Sequence, residues 1–272
     1  MNNSSTRAVK PVSPAAGYIG GKRNLAGRIV PVIDRTQHLT YAEPFVGMGG
    51  IFLRRTRQPQ AEVINDISGD VANFFRILQR HYRAFMDELK WRPGSRAEFQ
   101  RLIKVDPATL TDLERAARFL YLQRMTFGGK VAGRTFGVSP TQGARFNVLK
   151  LAEQLAEIHE RLANVVIEQL PYTDFIRRYD RPGTLFYLDP PYWGCETDYG
   201  PDVFSRDDFD QLAEQLASIE GKFLLSINDT PETRACFERF AARGVETTYS
   251  IAGNQNAKRA GELLVSNFPI GD

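Results

Sequence analysis

The sequence predicts an α/β protein whose mainly parallel sheet is interrupted by a long, mostly helical segment. Short apolar runs that end in turn residues alternate with helical patterns near both ends of the 272-residue chain, which is typical of strand–helix units. Between 68 and 161 little resembles a strand, and 70–89 carries apolar residues at helical spacing. We therefore expect one sheet that is assembled from two separated parts of the chain.

The composition is that of a globular protein and excludes several classes. Hydrophobic residues make up 42% of the chain and charged residues 25%, and a net charge of +3 does not by itself demand nucleic acid. Two distant cysteines and three scattered histidines form neither a zinc spacing nor a disulfide framework, so we expect no metal and a reducing cytoplasm. No apolar run approaches the ~20 residues that span a membrane.

Seven apolar runs are predicted to be strands, and helical patterns fill much of the remaining chain. The predicted strands cover 38–45, 61–67, 165–169, 184–189, 222–228, 245–251 and 261–268. The predicted helices cover about 22–30 with Pro31 near the end, a segment from about 50, 70–89, 113–125 after a capping box at 111–114, 148–163, 206–219 and 230–242. Residues 127–147 hold five glycines, three basic residues and no acid, which indicates a functional loop or hairpin.

Two glycine-rich turns are candidate ligand sites. In "AEPFVGMGG" (42–50) a strand runs into glycines that allow close approach to a ligand, and Asp66 ends the next strand, where an acid suits ribose hydroxyls. A plain turn remains the alternative. Gly20-Gly21-Lys22 precedes a helix, where unpaired N–H groups favour anions, but the Walker spacing is not met. A solvated lysine at a helix start is the other interpretation there.

The strongest signal is Asp189-Pro190-Pro191-Tyr192, which follows the apolar run "TLFYL". Ligands of open α/β sheets bind at the carboxyl ends of strands, and the prolines make this turn rigid. The Asp189 carboxylate and the Pro190 carbonyl are both acceptors, which suits an amine with two donors, and Tyr192 can stack on the ring that carries the amine. The pattern therefore indicates a site for a flat ring with an exocyclic amine.

Asp-Pro-Pro-Tyr, together with "YIGGKRNL", "EPFVGMG", "FLYLQRMTFGGKVAGRTFGV", "LLSINDT" and "AGELLVSNF", resembles the DNA adenine N6-methyltransferases of the Dam type. The resemblance covers nearly the whole chain after about residue 17. It implies a Rossmann-like class I methyltransferase fold with a mixed, mainly parallel seven-stranded sheet. It also implies a catalytic domain made of 1–67 and 164–272, and an inserted helical target-recognition domain at 68–163.

The resemblance implies S-adenosylmethionine as the cofactor. The tract from Glu43 to Gly49 corresponds to the family's methionine-side loop, and Asp66 to its ribose-binding acid. Tyr18 and Lys22 fall in a motif that closes on the cofactor, and Asp174-Phe175 falls where the family places an acid–aromatic pair near the adenine. The implied cofactor-binding set is Tyr18, Lys22, Glu43, Pro44, Phe45, Gly47, Gly49, Asp66, Asp174, Phe175 and Asp189.

The resemblance further implies that Asp189, Pro190 and Tyr192 are catalytic. The target adenine must leave the duplex, and hydrogen bonds from its N6 amine to Asp189 and to the Pro190 carbonyl would localise the nitrogen lone pair for attack on the methyl group. Double-stranded DNA is the expected partner of a monomer or weak dimer. The candidate DNA contacts are Arg124, Lys130, Arg134, Trp193, Lys258 and Arg259.

Three points stay open in the sequence. Phe127-Gly128-Gly129 replaces the Tyr-Asn-Gly of the best-known members, which leaves the recognition sequence undecided between GATC and another site. Asp-Pro-Pro-Tyr also suits cytosine N4 or an adenine in RNA, since each presents an exocyclic amine. A non-catalytic DNA-binding homologue is the third alternative, although neither the catalytic acid nor the cofactor glycines are missing.

Overall fold

The structure is a computed structural model that describes residues 6–137, 143–200, 203–249 and 258–271, with the side chains of 247–249 and 258–260 outside the description. Its centre is a seven-stranded sheet. The strands are β1 (Thr40–Glu43), β2 (Ala61–Asn65), β3 (Val165–Glu168), β4 (Thr184–Leu188), β5 (Lys222–Asn228), β6 (Ala241–Tyr249) and β7 (Lys258–Ser266). A separate two-stranded ribbon pairs Arg7–Ala8 with Arg57–Gln58.

The order of the seven strands is β3-β2-β1-β4-β5-β7-β6. The first five pair in parallel, whereas β7 runs antiparallel to both β5 and β6. This mixed, mainly parallel sheet confirms the predicted Rossmann-like fold. The order reverses direction beside β1 and β4, which is where open α/β sheets form a crevice at their carboxyl ends.

Nine helices of the described chain surround the sheet. They are α1 (Ala26–Arg35), α2 (Gly69–Arg80), α3 (Tyr82–Leu89), α4 (Arg96–Lys104), α5 (Asp112–Met125), α6 (Val148–Arg161), α7 (Tyr172–Tyr179), α8 (Asp207–Ser218) and α9 (Pro231–Cys236). Helices α2 to α6 lie between β2 and β3 in the chain, as the mostly helical segment was predicted to do. The described part of this segment has no strand beyond an isolated bridge between Thr126 and Phe136.

The central strands are buried on both faces, because helices cover each side of the sheet. Along β4, Leu185 and Tyr187 join a core that includes α1 to α6, whereas Phe186 and Leu188 join a second core with α7 and α8. Successive strand residues point to opposite faces, so one apolar run serves both cores. The helical segment shares its core with the sheet, and the division into domains at 67/68 and 163/164 stays a prediction.

Several predicted element boundaries were wrong. Helix α1 continues through Pro31 to Arg35, because Pro31 lies on its exposed face while apolar residues bury the opposite face. The helix predicted from about 50 is only a 3-10 turn at Phe52–Arg54, and the helix predicted over 70–89 is broken at His81, whose φ and ψ of −126° and 32° are not helical. The helix predicted over 230–242 ends at Cys236, since the chain enters β6 at Ala241.

Candidate active site

The carboxyl ends of β1, β2 and β4 open onto one large cleft of about 1080 Å³. Parallel strands place their carboxyl ends at the same edge of the sheet, so residues far apart in sequence meet there. Of the predicted cofactor-binding and catalytic residues, the cleft is lined by Tyr18, Lys22, Glu43, Pro44, Phe45, Gly47, Asp66 and Asp189. The strand-end motifs singled out in the sequence therefore converge on one cavity.

The turn after β1 is tied to the end of β2 by a carboxylate. The Gly47 N–H donates to Asp66 Oδ2 at 2.9 Å, and the Ser68 N–H donates to Asp66 Oδ1 at 2.9 Å. Gly47 has a φ of +50°, and a Cβ there would lie 3.0 Å from the Tyr18 ring, so this position requires glycine on both counts. Gly49 also has a positive φ, but its missing Cβ makes room for Leu53 rather than for the cleft.

Asn65 supports this corner of the cleft, although the sequence did not single it out. Its side-chain amide donates to the carbonyls of Pro44 at 2.9 Å and Leu170 at 3.0 Å, and its oxygen accepts from the Leu170 N–H at 2.8 Å. The loops that follow β1 and β3 are thereby held together by one buried side chain. A polar residue at a strand end is too common a pattern for this role to be visible in the sequence.

The turn after β4 is held by a buried lysine from the N-terminal segment. Lys22 Nζ lies 2.6 Å from Asp189 Oδ1, and the Lys22 side chain is only 1% exposed. The same ammonium donates to the Tyr192 hydroxyl. The sequence predicted Lys22 as a cofactor contact, and the structure shows that it also pairs with the predicted catalytic acid.

Side chains of two further strands, β5 and β7, form hydrogen bonds with the same turn. The Tyr192 hydroxyl donates to Glu262 Oε1 on β7. The side chain of Asn228, at the end of β5, accepts from the Trp193 N–H at 3.0 Å and donates to the Trp193 carbonyl at 3.0 Å. Asn228 and Glu262 are paired in the β5–β7 register, so neighbouring residues of the sheet fix this turn. Neither was predicted as a site residue.

Burial sets the charge of the carboxyl groups in the cleft. It raises the pKa of Asp66 to about 6 against the lowering effect of the Ser68 and Gly47 N–H groups. It also raises the pKa of Asp189 to about 6, where Lys22 lowers the value and Glu262 raises it further. Both carboxyl groups are therefore mostly ionised at neutral pH.

Glu43 differs from these two acids. Its burial raises its pKa to about 8, although Tyr41 donates a hydrogen bond to Oε2 at 2.6 Å that favours the ionised form. At neutral pH Glu43 therefore carries a proton for most of the time. Of these three acids in the cleft, Asp66 and Asp189 are mostly ionised, whereas Glu43 can also donate a hydrogen bond.

The apolar end of the cleft is aromatic. Phe45, Tyr172 and Phe204 line it, with ring centroids 5.5 to 6.1 Å apart. Asp174 and Phe175 do not reach the cleft. Asp174 is exposed and pairs with Arg177, and Phe175 is fully buried against Tyr179, because both lie on the sides of α7 that face away from the cavity.

The N-terminal segment is clamped between the helical segment and the turn after β4. The Gln123 amide donates to the carbonyls of Gly17 at 2.9 Å and Gly129 at 2.6 Å, and the Ile19 N–H donates to the Gly129 carbonyl at 3.0 Å. From the other side, the Tyr199 hydroxyl donates to the Ile19 carbonyl at 3.1 Å. Tyr18 is held over the cleft by contacts that no local sequence pattern reveals.

Two of the predicted DNA-binding side chains, Arg124 and Arg134, are engaged within the protein. The Arg124 guanidinium donates to the carbonyls of Ala15 and Arg145, and Arg134 donates to Gln123 Oε1 at 3.3 Å. Burial lowers the pKa of both arginines. Lys130 differs from them, since it is exposed.

The remaining DNA-binding predictions have mixed outcomes. The Trp193 ring packs on Phe209 of α8 at 5.0 Å, with the Arg206 guanidinium 4.8 Å from it, so the structure does not bring it to the cleft. Lys258 and Arg259 begin β7, where they pair with Tyr249 and Thr248. Their side chains lie outside the described residues.

The described residues also include no helix that is both long and apolar enough to cross a membrane. Within the same part of the chain, no group of three or more His, Cys, Asp or Glu side chains is arranged to hold a metal ion.

Known proteins resemble the chain over nearly its whole length. The sequence model of the D12 class N6 adenine-specific DNA methyltransferases matches residues 18–251. The Type II methyltransferase M1.LlaDCHI of Lactococcus lactis subsp. cremoris is 24% identical over 94% of this chain and 95% of that protein. The DNA adenine methylase of Salmonella typhi is 26% identical over 93% and 94%. The Type II methyltransferase M.CviBI of Paramecium bursaria Chlorella virus NC1A is 22% identical over 88% and 91%.

The family match covers far more than half of the chain, and the cleft contains the strand-end motifs that the sequence predicted. The chain therefore belongs to the D12 class N6 adenine-specific DNA methyltransferases and is an enzyme that transfers a methyl group from S-adenosylmethionine to adenine N6 in DNA.

Proposed function

We propose that Asp189 and the Pro190 carbonyl accept the N6 amine of the target adenine, beside a cofactor that is held by the Gly47 turn and Asp66. The observation that carries this assignment is the position of Asp189. Its mostly ionised carboxylate lines the same cleft as Asp66 and is held by the Lys22 ammonium at 2.6 Å. A carboxylate that is fixed in this way is a strong, oriented acceptor.

The residues of the cleft fit S-adenosylmethionine, which supplies an electrophilic methyl group on a sulfonium centre. The volume of about 1080 Å³ exceeds what a ligand of this size needs. The Asp66 carboxylate has lone pairs left for ribose hydroxyls after it accepts two backbone N–H groups, and Phe45 and Tyr172 offer flat apolar surfaces to a base. We assign Asp174 and Phe175 no cofactor contact, and Tyr172 takes their place.

The proposed role of Asp189 and Pro190 is to make the adenine amine nucleophilic. The N6 lone pair is delocalised into the ring, and hydrogen bonds to two fixed acceptors favour a pyramidal nitrogen on which the pair is localised. The N6 nitrogen then forms a bond to the methyl carbon as the bond from that carbon to sulfur breaks. One N6 proton leaves toward Asp189. Because the methyl group passes directly from sulfur to nitrogen, no covalent enzyme intermediate is needed.

Tyr192 is proposed to stack on the target adenine after it has left the duplex. The N6 atom is not accessible inside a base-paired stack, so an enzyme acting on it must flip the nucleotide out. The Tyr192 hydroxyl is anchored by Lys22 and Glu262, which fixes the orientation of the ring. An aromatic plate of fixed orientation binds a flipped base at a low entropic cost.

DNA recognition is proposed to lie in the helical segment. Lys130 is the exposed cation of its glycine-rich hairpin and suits a phosphate contact. Arg124 and Arg134 support the hairpin through the hydrogen bonds described above, and Lys258 and Arg259 remain proposed contacts from the start of β7. We further propose that the enzyme acts in the cytoplasm as a monomer or weak dimer on one short, specific sequence of duplex DNA.

The proposal is tested by identifying the methylated product. Unmethylated duplex DNA and RNA are incubated separately with the enzyme and S-adenosylmethionine, then digested to nucleosides for mass spectrometry. We expect N6-methyladenine from DNA. N4-methylcytosine as the sole product, or N6-methyladenine from RNA alone, would replace the proposed substrate. Binding of cofactor and DNA without any transfer would support a non-catalytic homologue.

Matched variants connect the product with the site. Asp189→Asn should lower the rate at which the product forms by about 10²-fold to 10³-fold, whereas Asp87→Asn, at an exposed position of α3, should leave it unchanged. Modification-sensitive sequencing of DNA from an expressing host then identifies the recognition sequence.

A further inference from the structure

Glu262 is a carboxylate in an unexpected place. It lies in the antiparallel strand β7 with no exposed surface, and the residues that follow it, Leu263, Leu264 and Val265, are apolar and buried. Burying a carboxylate costs several kcal/mol unless its partners compensate for the lost water. A leucine would satisfy the packing of such a strand, so the acid needs another explanation.

The contacts of Glu262 connect it with the catalytic turn. Its Oε1 accepts from the Tyr192 hydroxyl, which in turn accepts from the Lys22 ammonium. Lys22 Nζ lies 2.6 Å from Asp189 Oδ1. A continuous series of hydrogen bonds and an ion pair therefore runs from β7, the neighbour of the edge strand β6, to the acid that is proposed to accept the adenine amine.

The chemistry of these groups determines the direction in which each hydrogen bond is donated. Glu262 has only acceptors when it is ionised, so the Tyr192 hydroxyl proton points toward it. The Tyr192 oxygen then presents its lone pairs to Lys22, and one of the remaining ammonium protons points at Asp189. If the carboxylate were replaced with a group that can donate a hydrogen bond, the Tyr192 hydroxyl proton would no longer have to point toward residue 262.

We propose that Glu262 is a positioning residue for methyl transfer, which acts through the Tyr192 hydroxyl and the Lys22 ammonium on the orientation of Asp189. It touches neither the adenine nor the cofactor. It locks the Tyr192 ring that stacks on the base and steers Lys22 onto Oδ1, which leaves Asp189 Oδ2 for the N6 amine. This role rests on the proposed function of Asp189.

The electrostatics provide a readout that a purely structural role lacks. The charged or titratable groups that face Asp189 are Lys22 from the N-terminal segment, Glu43 from β1, Tyr187 from β4, Tyr199 from the loop after β4, and Glu262 from β7. Among the groups that act on the pKa of Asp189, Lys22 lowers it and Glu262 raises it. Neutralising these two residues should therefore move the pKa of Asp189 in opposite directions.

The experiment compares single-turnover rates of Glu262→Gln and Lys22→Gln between pH 5 and 8, with saturating S-adenosylmethionine and a duplex that contains the recognition site. We expect Glu262→Gln to slow transfer by about tenfold to hundredfold, as misplacement of a reacting group does. The acidic limb of its pH–rate profile, where the rate falls as Asp189 becomes protonated, should lie at lower pH than that of the wild type. The acidic limb of Lys22→Gln should move to higher pH.

A buried acid outside the site supplies the matched control. Glu62 pairs with Arg55 at 2.7 Å and Arg161 at 2.6 Å, away from the cleft, so Glu62→Gln should lower the melting temperature without moving the acidic limb. If Glu262→Gln behaves like Glu62→Gln, or if its limb moves upward, Glu262 is only structural. Titration calorimetry with S-adenosylmethionine shows that Glu262→Gln is folded.

A second variant covers the case in which Glu262→Gln does not fold. Tyr192→Phe retains the ring but removes the hydroxyl group that links Glu262 to Lys22. It should reduce the transfer rate. In this variant, the position of the acidic limb should depend less on Glu262 than it does in the wild type. An unchanged rate in Tyr192→Phe would overturn the inference. Failure of the proposed function is seen separately, as wild-type enzyme that forms no N6-methyladenine or Asp189→Asn that retains its activity.

Discussion

The end of β2 and the end of β4 each place a carboxylate in the same cleft, but the chain holds the two in different ways. Asp66 accepts two backbone N–H groups, from Gly47 and Ser68, at 2.9 Å. Asp189 is held instead by the side chain of Lys22, far away in the sequence. Burial raises the pKa of each to about 6, so their charges are alike although their supports are not.

The difference matches the proposed tasks of the two acids. Ribose hydroxyls are neutral and stay in place, and a carboxylate supported by rigid backbone suits them. The amine at Asp189 changes its charge and bonding during the reaction, and an adjacent ammonium with its own partners can adjust the acceptor strength of the acid. The binding acid is thus held by backbone N–H groups of two turns, while the reacting acid depends on side chains from several elements.

The largest effect should come from Asp189→Asn. An amide retains one acceptor but lacks the negative charge and cannot take up the N6 proton, so the transfer rate should fall by about 10²-fold to 10³-fold, as when one preorganised electrostatic contact is removed. Titration calorimetry should show cofactor affinity close to that of the wild type. Transfer at a near-normal rate would contradict the assignment of Asp189 to the reaction.

The reverse pattern is expected for Asp66→Asn. Loss of a hydrogen bond to a charged group weakens binding by about 1.5–3 kcal/mol, so cofactor affinity should drop by about tenfold to hundredfold. The transfer rate at saturating cofactor should stay within a few-fold of the wild type. An unchanged affinity would show that Asp66 does not bind the cofactor, and the proposed contrast with Asp189 would then be wrong.

The pH dependence should separate the two acids in the unmodified enzyme. Because the pKa of Asp189 is about 6, only about one-tenth of the enzyme has an ionised Asp189 at pH 5, and the rate at saturating cofactor should be about tenfold below its neutral plateau. At low cofactor the decline should be steeper, because Asp66 is protonated over the same range. A flat single-turnover profile from pH 8 to 5 would exclude an ionised Asp189 as the acceptor.

Gly47→Ala tests the turn whose backbone N–H supports Asp66. The φ of +50° is unfavourable for alanine, and its Cβ would lie 3.0 Å from the Tyr18 ring. We expect a loss of about 1–2 kcal/mol in the free energy of unfolding and weaker cofactor binding. Gly27→Ala is the control, because that helical glycine has nothing within 4 Å of an added Cβ, and it should be neutral or stabilising.

The smallest effect is expected for Lys130→Ala, which touches neither acid. Removing one phosphate contact should weaken DNA binding a few-fold and reduce the slope of log affinity against log salt by about 1. Arg177→Ala on α7, at a side chain that is 74% exposed, is the matched control and should leave the slope unchanged. An unaltered slope in Lys130→Ala would move the DNA interface away from the hairpin.

Much of the site could be predicted because its residues follow strands. Apolar runs identify the strands, and an acid or glycine at a strand end is visible in the sequence, as with Gly47, Asp66 and Asp189. The sequence does not show the direction in which side chains point. Phe175 lies two positions after Thr173, which lines the cleft, yet it faces the core, since nearby positions of α7 point to different sides.

The sequence by itself determined the fold class, the family and the acids at the strand ends, because apolar periodicity and short motifs are local properties of the chain. Only the tertiary structure decided what holds those acids. Lys22 and Tyr192 are 170 residues apart, and Tyr192 and Glu262 are 70 apart. Their contacts exist because the sheet places β7 beside β5 and because Lys22 of the N-terminal segment lies against the turn after β4. Both are properties of the assembled fold.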